Sequence, residues 1–347
     1  MKKNYLDIID PIHHFIRVYD YELPIIDSPL FQRLRRIKQL SGAHLTYPSA
    51  QHSRFEHSLG VMHIASQAGF ALNEKGFLNS DDIQVLRLAG LLHDIGHGPF
   101  SHLFEEIIQE KKISHEDYGK KIILNSEIGD VLSKTGFDKK LITKIAFGES
   151  KFQYLNEIVS GALSADMMDY LLRDGYFTGA EHAKVDHKRI TQSLDIHKKK
   201  LALERSALYS FESMMHSRYQ MFKAVYFHKT VRAAEVMLIQ ALRLSDDEFG
   251  FTSFNLNEYV KLTDEFVLSS LISSKSPKLK RARQLAEDYQ NRKLLKCVFE
   301  RILTSQTNLK KTRTDELRIE LSKKSKIDEN EIFVDSSVTP SIPLAPS

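Results

Sequence analysis

The chain has 347 residues, of which 42% are hydrophobic and 27% charged, a composition typical of a soluble globular protein with a sizeable core. It contains no apolar run long enough to span a membrane and starts with no apolar signal segment, so we expect a cytoplasmic protein. The single cysteine, Cys297, excludes an internal disulfide, which fits a reducing compartment.

The predicted elements are mainly helices, because no proline lies between Pro99 and Pro277 in a stretch rich in Leu, Lys, Glu and Ala. We expect residues 1–55 to be irregular, apart from one short helix at 29–40. The other helices are predicted at 56–73, 80–92, 102–111, 115–125, 127–134, 138–147, 155–173, 211–244, 256–272 and 277–289. A β-hairpin is predicted at 190–203, and further strands at 292–303 and 331–335.

The predicted fold class is therefore mainly α, with a helical core and a smaller mixed α/β C-terminal region. We place a catalytic core with its N-terminal segment at 1–245 and the C-terminal region at 246–335. Residues 336–347 contain three prolines and little to pack, so they are predicted to be a flexible tail or the edge of a longer protein.

Charge is unevenly distributed along the chain. The net charge of +4 includes a basic stretch at 275–313 that holds 12 Lys and Arg against 3 Asp and Glu. Such a stretch is suited to nucleic acid or nucleotide phosphates, and it is equally typical of a solvated helix face.

Histidines are concentrated where the chemistry is expected. Seven of the 15 lie between His52 and His115, and His93-Asp94 directly follows an apolar helix end. A buried imidazole and carboxylate need compensation by hydrogen bonds, by a capping role or by a metal ion. A lone buried histidine is most often structural, but His57, the His93-Asp94 pair and an acid within Ser164–Tyr170 lie on three separate predicted helices. Such a set can surround one divalent Fe, Mn, Zn or Ni ion and leave positions open for water.

Two segments, Arg54–Val61 and Leu92–His102, resemble the HD-domain phosphohydrolases, and among them the deoxynucleoside triphosphate triphosphohydrolases, including vertebrate and prokaryotic dGTPase-like members. Shorter matches occur at Asp10–His13, Asp27–Pro29, Phe31–Arg35 and Ile37–Leu40. The resemblance implies an HD-domain helical core. It also implies water attack on the α-phosphorus of a dNTP, giving a deoxynucleoside and inorganic triphosphate. Mg²⁺ would arrive with the triphosphate, and a dimer or tetramer is expected.

The resemblance also implies roles for individual residues. The implied metal ligands are His57, His93, Asp94 and Asp166. The implied catalytic residues are Arg54, His97, His102, Glu105 and His115. Among these, His102 would donate the proton to the leaving 5′ oxygen, with Glu105 orienting it. The implied substrate contacts are Gln39, Leu40, Tyr170, Asp174, Arg218 and Tyr226. A possible activator site for GTP or a dNTP would use Asp27, Gln32 and Arg35.

Several positions depart from the vertebrate pattern. Met167 replaces a lysine, and Phe222 and Phe227 replace a histidine and a glutamine, so fewer groups remain to clamp phosphates. Leu6 and Ile9 replace polar residues near the implied activator site. Two alternatives therefore stay open. One is a phosphohydrolase of another ester, such as a nucleoside monophosphate or single-stranded nucleic acid bound through 275–313. The other is a non-catalytic nucleotide or nucleic-acid binding module.

Overall fold

The computed structural model describes residues 4–300 and 311–335. Over these residues the chain forms 17 α-helices and two small two-stranded sheets, so the mainly α prediction is confirmed. The predicted flexible tail at 336–347 lies outside the described residues. None of the described helices combines the length and apolarity needed to cross a bilayer.

The elements have the following bounds. The strands are β1 (Tyr5–Asp10), β2 (His14–Tyr19), β3 (Leu194–His197) and β4 (Lys200–Leu203). The α-helices are α1 (Leu23–Ile26), α2 (Pro29–Gln32), α3 (Arg54–Glu74), α4 (Ser80–Leu92), α5 (His102–Ile108), α6 (His115–Asn125), α7 (Glu127–Lys134), α8 (Lys139–Ala146), α9 (Gln153–Val159), α10 (Ala165–Thr178), α11 (His187–Gln192), α12 (Leu208–Met221), α13 (Lys229–Phe249), α14 (Leu256–Tyr259), α15 (Asp264–Ser273), α16 (Lys280–Gln290) and α17 (Lys311–Ser325). A π-helix covers Phe222–Tyr226, and 3-10 helices cover Arg33–Arg36 and Gln109–Lys111, among others.

Helix α3 lies at the centre of the molecule and is buried over most of its surface. It begins at a capping box in which Ser53 and Glu56 satisfy each other's backbone N–H groups. Helix α4 begins with the same device, made by Asn79 and Asp82. The two helices approach closely at Gly90, where a Cβ atom would lie 3.3 Å from the Met62 Cα. The capped starts and this contact bring the end of α4 beside the first turn of α3.

The N-terminal segment differs from the sequence-based expectation. Strands β1 and β2 form an antiparallel hairpin where an irregular segment was predicted. The Asp10 carboxylate closes its turn by accepting hydrogen bonds from the backbone N–H groups of Ile12 and His13, both at 2.9 Å. The buried face of β2 consists of only Ile16 and Val18, which is too short an alternation to predict a strand from sequence.

Four predicted helices are broken in the structure. The short helix at 29–40 consists of α2 and one 3-10 turn. The helix at 155–173 consists of α9 and α10, because Ser164 caps a new helix by accepting from the Met167 N–H. The helix at 211–244 is interrupted by the π-helix and restarts at α13. The prediction at 256–272 likewise covers two helices, α14 and α15.

The strand predictions have mixed outcomes. The hairpin at 190–203 is confirmed as β3–β4, with Lys198 and Lys199 in the left-handed region at its turn. The strands predicted at 292–303 and 331–335 are wrong over the described residues, since 292–300 and 331–335 form no strand. Both described sheets therefore precede residue 204, and the described part of the C-terminal region contains no strand.

The described residues form two large hydrophobic clusters. The first is centred on α3, α4 and α10, and the second joins α5 to α13, α15 and α16. The loop that follows α4 lies between them. The boundary at residue 245 remains a prediction. In the basic stretch, Arg281 binds Glu331, Arg283 binds the Ser274 carbonyl and Arg292 binds the Leu45 carbonyl, so these arginines have protein partners.

Two half-buried histidines make stability depend on pH. His63 and His187 flank His13, with ring centroids 5.0 and 5.6 Å from it. Burial lowers the pKa of His63 to about 3 and that of His187 to about 4, and the nearby His13 adds to both shifts. The unfolded chain takes up these protons below about pH 6.5. The folded chain does not, so the free energy of unfolding should fall as the pH drops from 6.5 towards 4.

Urea unfolding at pH 7 and pH 5 measures this effect. The loss of stability between the two pH values should be smaller for His63→Leu than for the wild type. His197→Gln changes an exposed histidine at the end of β3 and should show the wild-type loss. An equal loss in wild type and His63→Leu would contradict the assignment.

Candidate functional site

Three helix ends converge on one site. His57 lies in the first turn of α3, His93 and Asp94 follow the end of α4, and Asp166 lies in the first turn of α10. The Asp166 Oδ1 lies 3.1 Å from the His57 Nε2 and 3.8 Å from the His93 Nε2. The Asp94 carboxylate lies 3.6 Å from the His57 Nε2 and 3.4 Å from the His93 Nε2. These are the four residues for which the sequence implied metal ligation.

The geometry of this cluster fits a divalent metal ion. Ligand atoms of His57, His93 and Asp166 all lie within 4.8 Å of one another. The Nε2 atoms of both histidines are buried and make no hydrogen bond, which is costly unless a ligand occupies them. Their Nδ1 atoms are already engaged, by Asp169 for His57 and by the Gly90 carbonyl for His93. Two imidazoles with carboxylates suit a divalent transition metal.

The electrostatic field at the cluster also favours a cation. Burial by itself lowers the pKa of His57, but the adjacent carboxylates of Asp166 and Asp169 outweigh it and raise that pKa to about 10. Burial raises the pKa of Asp94, yet the Arg54 guanidinium, with Nη1 at 2.5 Å from Oδ2, holds it well below the ordinary value. Asp94 is therefore ionised, and the field at the histidine nitrogens stabilises positive charge.

Beside this cluster lies a second group, in which one glutamate contacts two histidines and a third histidine stacks on one of them. The Glu105 carboxylate contacts the Nδ1 of His102 at 3.2 Å and the Nδ1 of His115 at 2.6 Å. Burial raises the pKa of Glu105, but these two hydrogen bonds lower it below its usual range. His97 stacks on His115 with ring centroids 4.0 Å apart, and burial keeps its pKa well below normal. The His102 side chain is 70% exposed, so its ring faces solvent while the Glu105 carboxylate holds its Nδ1.

The turn that carries His97 is held in place by hydrogen bonds from side chains in and beside the second hydrophobic cluster. Phe100 and Ser101 have positive φ angles of 58° and 52°, a strained conformation for residues other than glycine. The Asp264 carboxylate accepts from the Phe100 N–H at 2.7 Å, and burial raises the pKa of Asp264 to about 6. The Tyr259 hydroxyl donates to the Gly96 carbonyl at 2.7 Å. Ser101 in turn accepts a hydrogen bond from the Arg54 Nε at 2.9 Å, so the turn positions this arginine.

Four of the residues expected to contact substrate lie near one another, namely Tyr170, Asp174, Arg218 and Tyr226. The Tyr226 hydroxyl donates to the Asp174 Oδ2 at 2.7 Å, and His52 contacts Oδ1 at 2.8 Å. Burial raises the pKa of Tyr170, and the nearby Arg218 opposes this with a smaller downward shift. Gln39 has a buried side-chain oxygen with no hydrogen-bond partner, and Leu40 packs against the first cluster.

Two of the three residues expected at an activator site contact each other. Arg35 donates to the Gln32 Oε1 at 2.8 Å, and its guanidinium lies 3.5 Å from the centre of the Phe55 ring. Gln32 donates to the Ile26 carbonyl. Asp27 is exposed and ends α1. Arg35 also lines a cavity of about 440 Å³ together with Arg36 and Lys38, whereas Asp27 and Gln32 do not line it.

Sequence reasoning missed several residues of the site. His52 had no assigned role, and neither did Asp169 and Arg173, which form an ion pair inside α10. A signal was present, because an acid and an arginine four residues apart in an apolar helix indicate a buried pair. Asp10–His13 was recognised as a motif, but its contact with this pair requires the tertiary structure.

One glycine of α3 is required by this ion pair. A Cβ atom at Gly60 would collide with the Asp169 carboxylate and the Arg173 guanidinium. We expect Gly60→Ala to lower the free energy of unfolding by about 3 kcal/mol, as overpacking does, although alanine favours the helix. Gly69→Ala in the same helix meets only the Ile83 side chain at 3.2 Å, so it should change stability by less than about 1 kcal/mol. Equal denaturation midpoints for the two variants would contradict this packing.

Two family profiles and several known proteins match this chain. The HD domain profile matches residues 54–174, and the profile of the HD associated region matches residues 185–345. An uncharacterized protein of Bacillus subtilis is 36% identical over 75% of this chain and 64% of its own length. The deoxynucleoside triphosphate triphosphohydrolase SAMHD1 homolog of Dictyostelium discoideum is 32% identical over 86% of this chain and 61% of its own length. Human deoxynucleoside triphosphate triphosphohydrolase SAMHD1 is 31% identical over 88% of this chain and 56% of its own length.

A solved structure is also similar. The crystal structure of a hypothetical protein from Aquifex aeolicus matches with a TM-score of 0.75 and 35% identity, covering 91% of this chain and 82% of that chain. The chain spans 64%, 61% and 56% of the lengths of the three curated relatives above, so it matches only a part of each.

Proposed function

The chain belongs to the HD-domain family, and we propose that it is a metal-dependent deoxynucleoside triphosphate triphosphohydrolase. The proposed reaction is water attack on the α-phosphorus of a dNTP, giving a deoxynucleoside and inorganic triphosphate. One observation carries it: two buried histidine nitrogens without hydrogen-bond partners lie beside two carboxylates and next to the His102–Glu105 pair, whose histidine is exposed. A binding module would have no need of such a centre.

His57, His93, Asp94 and Asp166 would hold one divalent ion, which is Fe, Mn, Zn or Ni in this proposal. Such an ion lowers the pKa of a bound water and polarises a phosphoryl oxygen. Mg²⁺ would accompany the triphosphate.

Arg54 and His102 have complementary proposed roles. Arg54 is held by Asp94 and Ser101, so its guanidinium is fixed before substrate binds and can stabilise charge on the phosphate oxygens. His102 would donate a proton to the leaving 5′ oxygen. Glu105 engages the His102 Nδ1, which leaves Nε2 for the substrate. His97 and His115 would surround the reacting phosphate.

The sugar and base would lie against α10 and the π-helix. Asp174 is fixed by Tyr226 and His52, and it would accept from the 3′-hydroxyl. Tyr170 would exclude a ribose 2′-hydroxyl by steric contact, and Gln39 and Leu40 would contact the sugar and base. Arg218 would contact a phosphate. A homo-oligomer, and an activator bound through Asp27, Gln32 and Arg35, complete the proposal.

A second candidate is hydrolysis of another phosphate ester. Met167 is buried, and the Phe222 ring packs on Tyr226 and Phe227 with centroids 5.1 and 5.3 Å apart. This wall is apolar where the vertebrate pattern has groups that bind phosphates. A nucleoside monophosphate or single-stranded nucleic acid needs fewer such groups.

A mass-resolved product assay distinguishes the two candidates. Purified protein with Mn²⁺ and Mg²⁺ is given each dNTP singly and mixed, with and without GTP, and in parallel a deoxynucleoside monophosphate and single-stranded DNA. Deoxynucleoside with intact triphosphate is the expected result, and a rate that depends on the mixture would support the activator site. Turnover of the monophosphate or the DNA alone would favour the second candidate.

A further inference from the structure

The Asp10–His13 turn is joined to the proposed metal centre by a buried chain of charged groups. The His13 Nε2 lies 2.7 Å from the Asp169 Oδ1. The Asp10 Oδ2 accepts from the Arg173 Nη1 at 2.9 Å. The same turn therefore contacts both members of the Asp169–Arg173 pair. Neither the sequence analysis nor the proposed reaction gives this turn a role.

Asp169 is the point at which this chain of groups reaches a histidine of the cluster. Its Oδ2 lies 2.8 Å from the His57 Nδ1 and also accepts from the Arg173 Nε at 2.9 Å. Its Oδ1 accepts from the Arg173 Nη2 at 3.0 Å and contacts His13. Both Asp169 and Arg173 are fully buried, so the carboxylate has no water to replace any of these partners.

The arrangement fixes the orientation of Asp169. A two-pronged arginine contact holds a carboxylate ionised and in one plane. Since that plane is fixed, the remaining lone pair of Oδ2 accepts a hydrogen bond from the His57 Nδ1–H. The opposite nitrogen, Nε2, is then unprotonated when neutral and points into the cluster beside Asp166.

The second histidine of the cluster is held differently. The His93 Nδ1 bonds the Gly90 carbonyl at 2.8 Å, within its own helix end. A backbone carbonyl is a neutral acceptor that cannot be removed by substitution. A carboxylate is charged and raises the basicity of the imidazole it orients. The orientation and basicity of His57 therefore depend on a side chain, Asp169, which can be replaced by mutation.

We propose that Asp169 is a positioning residue that holds His57 with its proton on Nδ1 and its Nε2 ready for the metal ion, and that Asp10, His13 and Arg173 hold Asp169 in place. This inference rests on the proposed function in one respect, which is that the cluster binds a metal. It assigns the Asp10–His13 turn a role in metal affinity.

The test is the affinity of the metal-stripped full chain for Mn²⁺, measured by calorimetric titration. Asp169→Asn keeps the shape of the side chain but presents an amide donor to His57, which favours the tautomer protonated on Nε2. We expect the dissociation constant to rise by about 10- to 100-fold, the range typical of such outer partners.

Glu22→Gln is the matched control. Glu22 is also fully buried and makes a two-pronged ion pair, with Arg87 at 2.6 and 2.8 Å, but it touches no residue of the cluster. Both variants should lose stability, and only Asp169→Asn should lose metal affinity. Equal dissociation constants for wild type and Asp169→Asn would overturn the inference. A wild-type chain that binds no metal would instead overturn the proposed function.

A second measurement needs no variant and remains decisive if Asp169→Asn fails to fold. Nitrogen-15 NMR of the wild-type chain loaded with Zn²⁺ reports which ring nitrogen of His57 carries the proton. We expect a hydrogen-bonded proton on Nδ1. A proton on Nε2, or none on Nδ1, would overturn the inference.

Discussion

Replacing His93 and Asp94 together by alanine is expected to abolish metal binding and to reduce hydrolysis to the background rate. The double variant removes the His93 Nε2 and a carboxylate that lies within 3.6 Å of both cluster histidines. His57 and Asp166 would remain, and two ligands are too few to hold a divalent ion firmly in water. Metal content is measured by elemental analysis, and turnover by the product assay.

A control for misfolding is needed, because loss of Asp94 leaves the buried Arg54 without its carboxylate partner. Asp166→Ala changes a side chain that is 33% exposed, so its fold should survive while its metal affinity falls. Circular dichroism monitors the fold of both variants. Turnover that persists in the folded, metal-stripped double variant would contradict the mechanism.

Replacing His102 by alanine is expected to slow turnover by about 10²- to 10⁴-fold, the usual contribution of a general acid. Metal content and substrate affinity should stay at wild-type levels, because His102 is exposed and does not touch the four-residue cluster. The measurement is the rate constant at saturating substrate, together with the Michaelis constant. A higher pH should not restore the rate, since the proton donor itself is missing.

Two further variants serve as comparisons for His102→Ala. Glu105→Gln keeps His102 but removes the charge that orients it and His115, so an intermediate loss of rate is expected. His197→Ala removes an exposed histidine of the β3–β4 hairpin and should leave the rate unchanged. If His102→Ala loses its metal, then His102 is a structural residue and its assignment as proton donor is wrong.

The central motifs were predictable from the sequence because their chemistry is local. His93, Asp94 and His97 follow one apolar helix within a few residues, and the glycines and proline after them require a turn. The predicted starts at residues 56 and 80 lie within two residues of the observed starts of α3 and α4, which Ser53 and Asn79 cap. Such local signals place ligands at helix ends, and the convergence of those ends then follows from packing.

The remaining parts depend on contacts between distant residues. Asp169 and His13 are 156 residues apart, and no local pattern links them. The break between α12 and α13 could not be predicted because no glycine or proline interrupts the sequence between residues 211 and 244. The strand prediction was wrong over the described residues 292–300, because a short apolar run such as Leu294-Leu295-Lys296-Cys297-Val298 does not distinguish a strand from other structure.

The most direct test of the central claim is to follow solvent oxygen through the reaction. Hydrolysis of a dNTP in oxygen-18 water is analysed by mass spectrometry of both products. Attack on the α-phosphorus predicts one heavy oxygen in the inorganic triphosphate and none in the deoxynucleoside. Heavy oxygen in the deoxynucleoside, or release of labelled pyrophosphate or monophosphate instead of triphosphate, would contradict the proposed reaction.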